Sequence, residues 1–447
     1  MNWIQQELGD IELGDKRRVK RLMSMIEKLA SQPKSSIPMA SEGWAETKAA
    51  YRLLENKALD ATEILDCHAE KSKQRAAAHK VVLCLQDTTE LDFTSQKGIA
   101  GLGRLNYAAR YGMYSHPTLM VTPERIALGV LDVWQWARKP KDDPNPIKEV
   151  ERWKDSYTSI ADTAEKMPET RFVCVGDRES DIRDVMEKAK SRNYVADFLL
   201  RAKHNRILAK DENNDDDSKL WDKVLKQEPI GQIKFTLEAN GERKPRKVIQ
   251  NLYVLRVTLP KTKEYEELTV TAILAKEVNP PAGQKGIEWK LLTNREAKTL
   301  DDAAELVDWY RCRWLIEIFF RILKSGCKVE SIQLSTMERI ERLLAIYMII
   351  AWRILHAVTL GEACPDLPCD VVFDTEEWQT AWVVSYRQKP PIKVPPLQEM
   401  VRLIATFGGF LGRKCDGSPG PKAIWEGMEK VRHYAVGIEV ARVVYAT

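Results

Sequence analysis

The 447-residue chain carries 44% hydrophobic and 30% charged residues, and its formal net charge is only +4. That length and balance suit two or three globular domains and exclude a fibre, a disordered tail or one small core. So small a net charge also excludes a protein that binds nucleic acid by overall basicity, and any basic footprint must be local. Eight cysteines (67, 84, 174, 312, 327, 364, 369 and 415) form no C-x2-C pair and no zinc-like grouping with the six histidines. Cys84 and Cys174 lie inside apolar runs, as reduced core residues do. The opening MNWIQQELGD has no basic n-region followed by an apolar stretch, so the expectation is a cytosolic protein. The longest apolar run, Leu343–Trp352, is about half of what a membrane span needs, and no membrane partner is expected.

In chain order, residues 1–70 read as short helices. Asp15 is a plausible N-cap for a segment in which Lys16, Arg17, Arg18, Lys20 and Arg21 fall within six positions. A charge run of this kind is either a solvated helix face or a phosphate-binding face. A second stretch, Ser41–Asn56, mixes Trp44 and Tyr51 with Lys48 and Arg52, a combination suited to phosphate contacts with rings against sugar or base.

Val81–Gln86 (VVLCLQ) is a short apolar strand running straight into Asp87-Thr88-Thr89. An acid there either presents a carboxylate at a sheet edge or caps a turn. Thr118–Val121 and Ile126–Trp134 read as further strands, residues 138–146 as a proline-rich loop, and Ile147–Lys166 as a helix with Trp153 in the core. Arg171–Gly176 (RFVCVG) repeats the earlier pattern and ends in Asp177-Arg178-Glu179-Ser180-Asp181. Open α/β sheets place their sites at this end of the strand. Asp177 is the metal-ligand choice, with Glu179 and Asp181 in capping or supporting roles. A helix, Ile182–Ser191, and a strand, Tyr194–Leu200, follow, and Arg201 and Lys203 bring cations to the strand's end.

From about 205 to 295 the periodicity is that of antiparallel β, with strands at Ile233–Leu237, Lys247–Leu259 and Leu268–Leu274. Asp211–Asp222 mimics a calcium loop but lacks its Gly and its final Glu, and reads as a solvated acidic loop. The basic turn Gly241–Lys247 suits DNA or solvent equally. Trp289, in GIEWKLLTN, reads from its own run as a core tryptophan. Tyr310–Lys324 (YRCRWLIEIFFRILK) is the most informative stretch. On an ideal helix at about 100° per residue, Tyr310, Arg313, Glu317 and Lys324 fall within roughly 60° of one another. Leu315, Ile318, Phe319 and Ile322 would then face the core. Further helices are expected at Met337–Leu360, Glu376–Arg387, Leu397–Phe407 and Lys422–Ala441.

The Y-x2-R-x3-E-x6-K spacing, together with acids at the ends of two apolar strands, resembles the signature of bacterial cut-and-paste DDE insertion-sequence transposases of the transposon-five type. The resemblance covers nearly the whole chain and is most specific in its middle. It implies an α/β fold: a ribonuclease-H-like catalytic core with an inserted antiparallel β subdomain, flanked by helical N- and C-terminal domains. Residues 1–70 would bind the transposon end, 71–365 would form the catalytic domain with its β insertion at about 205–295, and 366–447 would dimerise. Asp87, Asp177 and Glu317 would be the catalytic acids, holding two Mg2+ or Mn2+ ions about 3.5–4 Å apart. Tyr310, Arg313 and Lys324 would grip phosphates, Trp289 would stack on a flipped base, and Arg17, Arg18, Lys20, Arg21, Arg201 and Lys203 would add DNA contacts. The reaction would run through nicking, hairpin formation, hairpin opening and strand transfer into target DNA. Its partners would be double-stranded DNA, as inverted-repeat ends and target, and a second copy of the chain in a synaptic complex. A metal-dependent nuclease of the same fold and a DNA-binding transposition inhibitor are the alternatives.

Overall fold

The computed structural model describes residues 2–447 apart from 97, 108, 141, 210–218, 238–244, 414–415 and 446–447. The acidic run 211–217 and most of the basic turn at 241–247 therefore lie outside the described residues. The N-terminal helices are α1 (Trp3–Leu8), α2 (Lys16–Ser31), α3 (Ile37–Ala40), α4 (Trp44–Glu55) and α5 (Ala61–Ala76). The first strands are β1 (Val81–Gln86), β2 (Thr89–Asp92), β3 (Gly103–Arg104), β4 (Tyr111–Val121) and β5 (Ala127–Trp136). Then come α6 (Glu151–Lys166), β6 (Arg171–Gly176), α7 (Arg183–Ser191), β7 (Asp197–Arg201) and α8 (Leu220–Leu225). Four strands follow, β8 (Gly231–Leu237), β9 (Arg246–Leu259), β10 (Leu268–Glu277) and β11 (Glu288–Thr293). The chain ends in helices α9 (Leu300–Arg311), α10 (Trp314–Arg321), α11 (Met337–Ala363), α12 (Thr375–Tyr386), α13 (Leu397–Phe407) and α14 (Pro421–Tyr445).

These elements form two compact units: residues 79–87 with 149–314, and residues 1–78 with 88–148 and 315–447. In the first, the strands run β1-β6-β7-β11-β10-β9-β8. β1, β6 and β7 are parallel neighbours, and every pairing beyond them is antiparallel. The sequences match that change. VVLCLQ and RFVCVG are apolar almost throughout and buried from Val82 and Phe172 onward, as a sheet covered on both faces requires. GQIKFTL of β8 alternates half-buried and exposed, the mark of a strand with one wet face. The expected β insertion is therefore an extension of the same sheet, joined to it where β11 pairs with β7. β11 itself has no counterpart among the expected strands. Trp153 is 1% exposed, and Tyr157 beside it on α6 donates its hydroxyl to the Ala196 carbonyl at 2.6 Å.

The other unit is built on α11. This helix is long and apolar enough to cross a membrane, but 83% of its most apolar window is buried inside the protein, so its surface is already used by the core. Trp352 Nε1 and His356 Nδ1 both donate to the Ala127 carbonyl, at 3.0 and 2.7 Å, and Thr359 Oγ1 accepts from the Ala127 N–H at 3.1 Å. These bonds seat α11 on β5. α1 is tied in by a buried polar group. Glu7 (4% exposed) takes both Arg75 guanidinium nitrogens at 2.9 Å and lies 2.6 Å from His68 Nδ1. His68 Nε2 accepts from the Val130 N–H at 3.0 Å, so the ring is neutral and its proton sits on Nδ1, directed at Glu7.

Burial alone would raise the Glu7 carboxyl, but its His68 and Arg75 partners outweigh it and hold the group at about 2, against an ordinary 4.5. A carboxyl depressed in the fold contributes stability above its unfolded value and loses it as pH falls toward the folded one. Burial also lowers His68, so its protonation below about 6.5 favours unfolding in the same direction. Wild-type unfolding free energy in urea is expected to fall by about 2 kcal/mol or more from pH 5 to pH 3. Glu7→Gln should be less stable at pH 7 and show a flatter acid limb.

Candidate active site

The pairing of β1 with β6 sets the site. Val81 through Gln86 stand opposite Arg171 through Gly176, residue for residue and in parallel. Asp87 and Asp177 are the next residues on each strand, so both carboxylates leave the same sheet end from backbones about 4.8 Å apart. After β6 the chain turns at once. Ser180 donates its hydroxyl to the Asp177 carbonyl at 2.6 Å, and a Cβ at position 176 would stand 2.3 Å from that hydroxyl, so only glycine fits. Asp177 Oδ1 accepts the Glu179 N–H at 2.8 Å and caps the short 3-10 turn Arg178–Ser180, which fixes the carboxylate's direction.

The neighbouring acids have other work. Glu179 pairs with Arg152 at 2.7 Å, and the Arg152 side chain is 8% exposed. Asp181 is buried; its Oδ2 accepts from the N–H groups of Lys203 and His204 at 2.7 and 2.9 Å, and its other oxygen pairs with Arg206 at 2.6 Å. Neither side chain caps a helix, a role that Asp177 takes instead; both are held in pairs that brace the segments around β6. Asp181 also fixes the backbone that carries the exposed Lys203 ammonium, while half-buried Arg201 donates to the Glu288 carbonyl at 3.3 Å. Asp87 accepts from Arg313 Nη1 at 2.8 Å, a charge-assisted bond with the side chains 21% and 13% exposed.

Tyr310–Lys324 does not run as one ideal helix. α9 ends at Arg311; the Arg313 N–H bonds three residues back, to the Tyr310 carbonyl, at 3.0 Å; and α10 starts at Trp314. Ile322–Gly326 then opens into a π turn. Tightening followed by widening breaks the even 100° step, so the signature residues do not share one solvated face. Tyr310 is 4% exposed and its hydroxyl has no hydrogen-bond partner among the described residues. Buried apolar positions include Leu315, Ile316, Phe319, Phe320, Ile322 and Leu323, whereas Ile318 is only half-buried. Glu317 lies half-buried in the first turn of α10, where the helix dipole favours a negative charge. Lys324, in the π turn, is 3.7 Å from Glu330, beside an opening that also takes in Thr94, Ser95 and Lys328.

Trp289 lies half-buried on β11, stacked on Phe235 of β8 with centroids 5.6 Å apart and edge-on to Tyr310 at 6.2 Å. Arg311 lies over the other ring of the row, 4.4 Å from the Phe235 centroid. This aromatic shelf includes two residues, Phe235 and Arg311, that the sequence reading passed over. The available signal was the alternation of β8, which puts Phe235 on the face of Ile233 and Leu237.

In the N-terminal segment, Asp15 caps α2 as expected. Arg17, Lys20 and Arg21 are exposed along a groove shared with α3 and α4 and floored by Met25, Leu29 and Ile37. Arg18 instead turns inward and donates to the carbonyls of Leu13 and Ala58. Trp44 stands 77% exposed at the start of α4.

Among the described residues no three His, Cys, Asp or Glu side chains stand together as a complete metal site. Asp87 and Asp177 nevertheless supply hard oxygen donors from adjacent strands, a chemistry that fits Mg2+ or Mn2+. The fit is that of a site needing a further acid.

Three family profiles match the chain: "Transposase DNA-binding" over residues 1–59, "Transposase DDE domain" over 149–353 and "Transposase Tn5 dimerisation domain" over 349–447. Among solved structures, a cryo-EM structure of a piggyBac transposase synaptic complex with hairpin DNA matches 78% of this chain and 67% of its own, at 9% identity and a TM-score of 0.38. That likeness is too distant to carry an argument.

The Tyr310 hydroxyl, buried without a partner among the described residues, costs stability that phenylalanine would not. Tyr310→Phe is expected to melt at or above the wild-type temperature by calorimetry, and a fall of several degrees would mean that the hydroxyl is bonded within the folded chain.

Proposed function

We propose, for a chain that belongs to the Tn5-like DDE transposases, that Asp87, Asp177 and Glu317 are the catalytic acids of a cut-and-paste DNA transposase acting at inverted-repeat ends. As a DNA transposase with a ribonuclease-H-like DDE core, it is a nuclease that depends on divalent metal. The observation that carries the residue assignment is the register of β1 and β6, which delivers two carboxylates to one strand end. Glu317 joins them as the remaining acid of the Y-x2-R-x3-E-x6-K signature.

Asp87, Asp177 and Glu317 would hold two ions, Mg2+ or Mn2+. Bound metal lowers the pKa of the attacking water or 3′-hydroxyl and neutralises the leaving 3′-oxygen. The chain's own part is positioning. Asp177, held by its capping bond, keeps a fixed carboxylate direction. Arg313 and Lys324 supply cations for the phosphates flanking the scissile bond, whereas Tyr310, buried edge-on to Trp289, would support them by packing. Trp289, braced by Phe235, offers a π-face to a base unstacked from the end; stacking would offset part of the few kcal/mol that unstacking costs. Arg17, Lys20 and Arg21 line a groove suited to backbone phosphates, with Arg201 and Lys203 as further cations; Arg18 would act by shaping the loop it holds.

The product sequence would be nick, hairpin, hairpin opening and strand transfer into target DNA, carried out in the bacterial cytoplasm by a homodimer pairing two ends. The dimer reading is supported by the end of α14. Val436, Val440, Val443 and Val444 recur at helical spacing and are 48%, 56%, 81% and 63% exposed, an apolar stripe left uncovered by the described residues. Val440→Glu with Val443→Glu should shift sedimentation toward monomer and abolish paired-end complexes while leaving single-end binding in place.

The test of the chemistry is cleavage of DNA bearing the flanking inverted repeats, with Mg2+, by wild type, Asp177→Asn and Glu317→Gln. End-specific hairpin from wild type, with both variants bound but inert, is the expected result; comparable cleavage by either variant overturns the three-acid assignment. Equal cutting of random DNA would make this a nuclease, and binding without cleavage in either metal would make it an inhibitor.

A further inference from the structure

The Arg313–Asp87 bond has a consequence for how the site is loaded. We propose that Arg313 is a cationic placeholder on Asp87, which a divalent metal must displace and which then passes to a DNA phosphate. The proposal rests on the reading of Asp87 as a metal ligand. Arg313 Nη1 sits 2.8 Å from Asp87 Oδ2, and the two side chains are 13% and 21% exposed, so water screens the pair only in part. A guanidinium keeps its proton at any working pH, so its positive charge cannot be titrated away. It occupies Asp87 Oδ2, and a dication brought to the same oxygen would stand close enough to repel it. Capture of metal through Oδ2, or by both oxygens together, therefore requires the Arg313 side chain to leave.

The backbone allows for such a move without unfolding a helix. Arg313 lies in the two-residue break between α9 and α10, where its N–H bonds to Tyr310 in a tight turn. A change of side-chain rotamer there disturbs no regular ladder. Once off Asp87, the planar fork matches a phosphate as well as it matched a carboxylate. Metal and DNA are then linked through one residue: metal releases Arg313 for the phosphate, and a phosphate that draws Arg313 away exposes Asp87 to metal. By thermodynamic reciprocity each ligand raises the affinity for the other by the same factor. Without DNA the site holds its metal weakly, which keeps a strand-cutting centre idle until a substrate arrives.

The test is Mn2+ binding by the full-length protein without DNA, read as the free-ion signal in electron paramagnetic resonance, for wild type, Arg313→Gln and Asp87→Asn. Arg313→Gln is expected to bind Mn2+ about tenfold tighter than wild type, since one charge-assisted bond no longer has to be broken. Adding a short inverted-repeat duplex should tighten Mn2+ binding in wild type and much less in Arg313→Gln. Equal affinity of wild type and Arg313→Gln without DNA overturns the placeholder. Asp87→Asn binding as tightly as wild type would instead remove Asp87 from the ligand set, and with it the premise. Should Arg313→Gln fail to fold, Arg313→Lys, which loses the planar fork, is expected to bind about threefold tighter, and unchanged affinity there is equally fatal.

Discussion

Two carboxylates on neighbouring strands of a buried parallel sheet are the constraint from which the rest of this site follows. The β1–β6 register places Asp87 and Asp177 on adjacent strand ends, and neither can retreat without dragging a strand out of register. At about 5 Å and an effective dielectric near 20, two such charges repel by roughly 3 kcal/mol. The fold must therefore supply positive charge or lose one ionisation. It supplies charge: Arg313 stands on Asp87, and Arg152, nearly buried, stands on Glu179 two residues past Asp177.

The acids near β6 show how geometry divides identical chemistry. Asp177, Glu179 and Asp181 lie within five residues, yet only Asp177 leaves the strand end directly and keeps an outward carboxylate. Asp181 is spent on two backbone N–H groups and an arginine, which makes it a brace for the segment after β7. Glu7, far along the chain, resembles Asp181 more than Asp177: it is buried, doubly paired and held near pKa 2, so it stabilises the fold and offers nothing to a ligand. Satisfied acids are structure, and the sequence does not distinguish them from the acid left at a strand edge.

What could be read from the residues was whatever depends on runs and periods. VVLCLQ and RFVCVG are too apolar to be anything but buried strands, and an acid placed straight after each marks the sheet's end, so the placement of Asp87 and Asp177 at strand ends was legible in the residues. The helices at 337, 375, 397 and 421 were legible as apolar helical runs, and only the one at 397 has a clearly amphipathic pattern. Two kinds of feature were not readable. One is deviation from ideal helix: nothing in YRCRWLIEIFFRILK announces a tight turn at Arg313 or a π turn at Ile322, so Tyr310 was expected on a wet face and is buried instead. The other is pairing across distance, which put Phe235 against Trp289 and sent Arg18 to two backbone carbonyls.

The irregular turns fall inside the signature rather than around it, and the reason is physical. A regular helix spaces its side chains by a fixed rotation, which suits a core seam but gives no control over where a single functional group lies. A tight turn before α10 and a wide one after it move Arg313 and Lys324 off the helical lattice while Leu315, Ile316, Phe319 and Phe320 stay packed. The apolar residues thus hold the segment in place through both defects. Defects of this kind cost backbone hydrogen bonding and survive where the surrounding packing over-determines them, as the fully buried Ile322 and Leu323 do in the π turn. An unbroken helix over the same residues would space Arg313 and Lys324 by the regular rotation instead, so their spacing in the sequence has to be read together with the breaks.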